Sequence, residues 1–286
     1  MSFPVNHKNV PSEASGRAGI RQILMPPLLF ILLYDLLQTA CLLMYRHMKA
    51  SGPAALSSFL KEKPGLCMAV MAVSSMAAAL LPLLGTGRRR LAAFRDPACG
   101  KRAGRGSLPV WTGLFFCAAF LCIFSNAQIQ AMNIVSDSVY TMQPIYRELP
   151  FPVILLLFSV FSPFAEEFVF RGIFYTGLRS RFPVPLSVLC SAALFGIYHM
   201  EAVQGTYAFF MGILFALAME LTGDLRAPWL LHCISNGLPL ILSCLGVWEA
   251  FLQRSFRITA FVCFMLSAGV LAAFTARKKV SGGQEL

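Results

Sequence analysis

The chain has 286 residues, of which 57% are apolar and only 13% charged, with a formal net charge of +11. A soluble globular domain carries about twice that share of charge, and the mean hydropathy of +0.67 excludes one here. The composition is that of an all-α, polytopic membrane protein, because a bilayer-facing surface needs no polar residues while every backbone group must still be bonded internally.

A hydrocarbon core of about 30 Å needs roughly 20 apolar residues per helix. That length predicts eight spans, at about 22–45, 66–85, 108–128, 150–177, 185–202, 205–222, 227–247 and 257–276. The runs are too long for the alternating strands of an outer-membrane barrel. The first three spans form an N-terminal membrane segment over 1–149, and 150–245 carries the polar residues of interest. The last helix and tail occupy 246–286, all within one membrane domain. The first 21 residues are polar and mixed, with no cleavable signal peptide expected. The connections near 86–107 and 129–149 are read as loops. Asn126, Gln128, Gln130, Asn133 and Asp137 form the frayed end of the third span.

The basic residues divide unevenly between alternate connections, which sets orientation. Sixteen fall on one side: Lys8, Arg17, Arg21, Arg88, Arg89, Arg90, Arg95, Lys101, Arg102, Arg105, Arg179, Arg181, Arg226, Arg277, Lys278 and Lys279. Seven fall on the other: Arg46, Lys49, Lys61, Lys63, Arg147, Arg254 and Arg257. Both termini are therefore expected in the cytoplasm, in a cell membrane. The basic 88–105 stretch is a topology signal that meets anionic lipid head groups, and no nucleic-acid partner is expected. Nine cysteines stand singly with no C-x-x-C pair, so neither zinc-ribbon nor redox spacing is present.

The fourth span reads Ser162-Pro163-Phe164-Ala165-Glu166-Glu167-Phe168-Val169-Phe170-Arg171-Gly172. Each charge costs about 2.5–3.5 kcal/mol at the bilayer centre, so such groups pair and serve a function. Glu167 and Arg171 are i and i+4, on one face, and form a structural ion pair. Glu166 is turned about 100° away by the helical period. The fifth span carries Phe195 and His199 at i, i+4, and the seventh carries His232 and Asn236 at the same spacing. Counted from the cytoplasmic ends at about 1.5 Å per residue, Glu166, His199, His232 and Asn236 reach comparable depths. Such a set can hold and deprotonate a water and donate to an oxyanion. Asp35 and Gln38 are expected to bond helix to helix, and Glu201 and Glu220 to be solvated at span ends.

Three motifs in this order, E-E-x-x-x-R at Glu166–Arg171, F-x-x-x-H at Phe195–His199 and H-x-x-x-N at His232–Asn236, resemble the signature of the CAAX-protease and bacteriocin-processing family. These are intramembrane endopeptidases related to the type 2 CAAX prenyl protease. The resemblance covers about 150–245. It implies Glu166 as general base acting on water with His199, and His232 and Asn236 as the oxyanion donors. It implies a membrane-associated peptide or protein substrate, prenylated or leader-bearing; the depths counted above place the cavity open toward the cytoplasm. No cofactor is expected. The alternative is Zn2+ held by Glu166, His199 and His232, although no H-E-x-x-H pair is present. The rival reading is a non-catalytic transporter or immunity scaffold; the repeats and paired broken helices of a transporter are not seen.

Overall fold

The computed structural model describes residues 19–86, 107–132 and 137–281. The basic stretch from Arg88 to Arg105, together with Lys8, Arg17, Cys99 and Asn133, lies outside the described residues. Eleven helices follow in chain order among the described residues: α1 Ile20–Ser51, α2 Ala54–Glu62, α3 Pro64–Thr86, α4 Leu108–Ala131, α5 Asp137–Glu148, α6 Phe151–Arg179, α7 Val184–Tyr198, α8 Ala202–Thr222, α9 Arg226–Cys244, α10 Trp248–Leu252 and α11 Arg254–Ser281. No strand occurs among them. Seven helices, α1, α3, α4, α6, α8, α9 and α11, are long and apolar enough to cross a membrane. The protein is therefore an all-α, multi-pass membrane protein.

The fifth expected span, at 185–202, is shorter than the sequence suggested. Helix α7 has 15 residues, about 22 Å at 1.5 Å per residue, and stops at Tyr198 rather than near 202. His199 follows as its C-cap, and Met200 then takes a positive φ of 54°. That left-handed turn ends the helix and starts the reversal into α8. A second correction concerns 129–149, where helix α5 occupies Asp137–Glu148 instead of a loop. Its carboxylate at Glu148 accepts the Leu66 backbone N–H at 3.1 Å, satisfying an orphan donor at the start of α3.

The helices alternate in direction. The starts of α1, α4, α7 and α9 and the ends of α6, α8 and α11 share one end of the bundle, called here the terminal end. Contacts at each end agree with this order. Ile23 of α1 meets Gly177 of α6 and Leu271 of α11 meets Gly113 of α4 near the terminal end. At the opposite end Trp248 Nε1 donates to Gln130 Oε1 at 2.7 Å, and Arg257 Nη1 donates to Gln128 Oε1 at 3.0 Å. Gln128 and Gln130 thus tie α4 to α10 and α11 at this end, where the sequence suggested only fraying.

Helix α6 is not a regular α-helix. Two stretches, Leu155–Phe161 and Phe168–Tyr175, have π-helical turns with i→i+5 bonding, a device common at functional sites. In the first, the Ser162 N–H bonds back to the Leu157 carbonyl. The next donor in that register is position 163, a proline without an N–H. The Phe158 carbonyl is left without a donor from its own helix, and Asn236 of α9 supplies one at 3.1 Å. Trp229 of the same helix donates to the Val160 carbonyl at 3.1 Å. The irregularity in α6 is what ties it to α9.

Polar groups outside the central cluster depart from expectation in two places. Glu220 is not a free solvated carboxylate: it accepts from Arg179 at 2.8 and 3.2 Å and from the Tyr175 hydroxyl at 2.8 Å. Gln38 does not bond helix to helix through its carbonyl, since its Oε1 is buried without a partner.

Candidate active site

The floor of the site is the pair anticipated from the i, i+4 spacing. Arg171 Nη1 and Glu167 Oε1 are 2.7 Å apart, and both side chains are 0% exposed. A buried pair loses its hydration and needs further bonds to compensate; these are present in part, since Glu167 Oε2 and Arg171 Nε are buried without a partner. Arg171 Nη2 donates to the Gly212 carbonyl at 3.2 Å. Its guanidinium lies 4.3 Å from the Phe195 ring centroid and 5.2 Å from that of Phe215, in cation–π range. A Cβ at Gly212 would meet Arg171 Nη2 at 3.2 Å and Ala192 Cα at 3.1 Å, so the glycine is what lets α8 approach.

Glu167 has a second partner that the sequence did not reveal. Its Oε1 also accepts from His232 Nδ1 at 2.8 Å. A carboxylate only accepts, which assigns a proton to Nδ1. The ring is further held against Phe215, stacked at 4.8 Å and 25°, and edge-on to Phe195 at 5.6 Å. Fixed in this way, His232 aims Nε2 at Glu166, whose Oε2 is 3.8 Å away.

Glu166 is the neighbour of Glu167 in sequence but not in function of place. It accepts from Ser162 Oγ at 2.8 Å through Oε1, one turn back on α6, and it lines a cavity that Glu167 does not reach. His199 lines the same cavity. Its Nδ1 donates to the Phe195 carbonyl at 2.8 Å, leaving Nε2 as the acceptor in the neutral ring. Asn236 also lines it, with one amide hydrogen committed to Phe158. All four expected residues therefore face one cavity of about 660 Å³.

The remaining wall is contributed by residues that no motif flagged. Tyr34, Asn126, Gln204, Tyr207 and Ser235 add hydroxyls and carboxamides, while Met76, Met211 and Phe215 make it apolar. The Tyr207 hydroxyl is buried with no hydrogen-bond partner. Asp35 is not among the lining residues, although Tyr34 beside it is. A Pro at 163 before paired glutamates was the one local signal for the α6–α9 tie, through the carbonyl it leaves unbonded.

Among the described residues no group of three or more His, Cys, Asp or Glu side chains is gathered to hold a metal ion. His232 Nδ1 and His199 Nδ1 are bonded to protein acceptors, so each ring can offer only Nε2 to the cavity. Glu166, His199 and His232 share the cavity without forming a ligand set.

Residues 148–238 match the family model described as type II CAAX prenyl endopeptidase Rce1-like. This segment is similar to the CAAX proteases. All three motifs, from Glu166 to Asn236, fall inside the matched residues. The chain is also 27% identical over 125 residues to the membrane-embedded CAAX protease MroQ of Staphylococcus aureus (strain USA300), covering 42% of this chain and 50% of that protein. The chain thus spans half the length of the curated relative it matches. No solved structure matches the chain.

Proposed function

We propose that this protein is an intramembrane endopeptidase that hydrolyses a peptide bond in a membrane-associated peptide or protein, with 150–245 as its catalytic core. The observation that carries the reading is the shared cavity. There a carboxylate and two imidazoles are each pinned by a second hydrogen bond, so that one working atom of each faces the same space. The family match over 148–238 supports it.

The Glu166–His232 separation of 3.8 Å is too long for a direct hydrogen bond and fits one water held by both groups. Glu166 takes a proton from that water, with His199 Nε2 as the second acceptor that orients it. The hydroxide oxygen bonds to the scissile carbonyl carbon, and the carbonyl electron pair moves onto its oxygen. His232 and Asn236 receive that oxyanion. With its Nδ1 proton held by Glu167, His232 turns Nε2 toward the oxyanion and donates to it when that nitrogen carries a proton. Asn236 has its second amide hydrogen for the same purpose. As the C–N bond breaks, Glu166 returns its proton to the leaving amine. Donors already fixed by the fold stabilise the charge without reorganising when it appears.

The experiment is direct. Purified protein in liposomes is incubated with a library of membrane-anchored peptides, and products are read by mass spectrometry beside Glu166→Gln. A pair of products that requires Glu166 is expected. Their absence across the library would leave the cluster as a binding site of the transporter or scaffold kind. The cell membrane and cytoplasmic termini belong to the same proposal, on the sixteen-to-seven division of basic residues.

A further inference from the structure

The direction in which the cavity opens is fixed by three helices whose order along the bundle is known. On α6 the lining runs from Glu166 back to Leu157, on α8 from Phe215 back to Gln204, and on α9 from His232 forward to Leu240. Each of these paths leads away from the terminal end. They rise by about 13, 16 and 12 Å at 1.5 Å per residue. Exposure follows the same gradient. Glu166 and His232 are 7% and 5% exposed and Phe215 1%, whereas the lining residues Tyr146 of α5 and Met200 reach 46% and 75%. Below Glu166 the path is blocked by Arg171, Phe170 and Tyr175, all fully buried, and then by the Arg179–Glu220 pair. The rim is built by α5, by the left-handed turn at Met200 and by the start of α8. This differs from the opening toward the cytoplasm expected from sequence together with cytoplasmic termini.

We propose that the substrate enters at the end of the bundle opposite the terminal end. With the terminal end cytoplasmic, as proposed above on the sixteen-to-seven division of basic residues, the substrate is a peptide segment presented at the extracytoplasmic face of the membrane. The substrate class rests on the endopeptidase reading; the direction of opening does not. Phe161, 45% exposed and on the α6 wall of the cavity, lies between the rim and Glu166. It is placed to meet the apolar part of a chain that stays anchored in the outer leaflet. Helix α5 is no accident of a long connection in this arrangement: it carries Tyr146 to the rim and is fastened to α3 by Glu148.

The test reads orientation and entry separately. Met200→Cys and Tyr146→Cys are made in a Cys244→Ser parent, because Cys244 is exposed at the same end, and Ser180→Cys marks the terminal end. Intact cells are treated with a membrane-impermeant maleimide before or after permeabilisation, and each variant is checked for an unchanged melting temperature. Both rim cysteines are expected to label in intact cells at least about tenfold above the parent, and Ser180→Cys only after permeabilisation. The reverse pattern would overturn the extracytoplasmic assignment, and rim cysteines that never label would overturn the opening itself. If Met200→Cys fails to fold, Tyr146→Cys alone decides. For entry, a bulky maleimide on the rim cysteine is expected to slow cleavage of a library peptide about tenfold or more; unchanged cleavage overturns entry by this rim. A protein that labels from outside yet cleaves no peptide leaves the opening in place and sinks the endopeptidase reading instead.

Discussion

His232 Nδ1 lies 2.8 Å from Glu167 Oε1, the same oxygen that Arg171 Nη1 approaches to 2.7 Å. One carboxylate oxygen therefore ties α6 to α9 and sets the ring of a cavity residue at the same time. The two adjacent glutamates divide their work along this line: Glu167 faces the protein, and Glu166 faces the cavity.

Glu166→Gln is expected to abolish peptide cleavage, because an amide cannot take the proton of a water at this site. Melting temperature should change little, since Gln can still accept the Ser162 hydrogen bond. Cleavage assays beside thermal unfolding check this, and wild-type turnover in the variant would remove Glu166 as the base.

Glu167→Gln should do the opposite. The amide oxygen can still accept from His232 Nδ1, but the buried Arg171 charge loses its counter-ion. Removing one partner of such a pair costs about 3–5 kcal/mol. The melting temperature is expected to fall steeply, while the folded fraction keeps part of its activity. Glu167→Ala, which also frees the His232 ring, should lower both. Equal loss of activity in the two variants, at equal stability, would show that the orientation of His232 does not depend on this bond.

Asn236→Ala removes one proposed oxyanion donor and the bond that satisfies the Phe158 carbonyl. The expected loss in kcat is about 10²–10³, with KM nearly unchanged. The π-helical stretch of α6 should loosen as well, readable as faster amide hydrogen exchange over 155–161. Faster exchange with normal kcat would make Asn236 a helix tie alone.

Metal dependence is read by exhaustive chelation with elemental analysis. A catalytic zinc needs about three protein ligands and an open position, and among the described residues no group of three or more donors is gathered for one. Cleavage is expected to survive in protein shown to be metal-free. Loss on chelation, with full recovery on stoichiometric zinc, would bring Glu166, His199 and His232 back as ligands.

The sequence by itself determined the membrane class, the position of the long spans and the Glu167–Arg171 pair. These follow from quantities that are local in the chain: about 20 apolar residues to cross a bilayer and an i, i+4 spacing that stacks two charges. Only the tertiary structure decided what these residues meet. The Glu167–His232 bond joins positions 65 residues apart, and no periodicity carries that information. Helix α5 was hidden because its 12 residues, with Pro144 inside, are polar and lie between spans, where hydropathy has nothing to count. The Arg179–Glu220 pair was hidden because each charge sits at a span end, where solvation is the local default. The end of the bundle at which the cavity opens was hidden for the same reason. Depth along one helix can be counted from sequence, but which end of the bundle is plugged depends on Arg171, Phe170 and Tyr175 packing together with Phe215 and Gly212 of another helix. That packing is decided only when the helices are brought side by side.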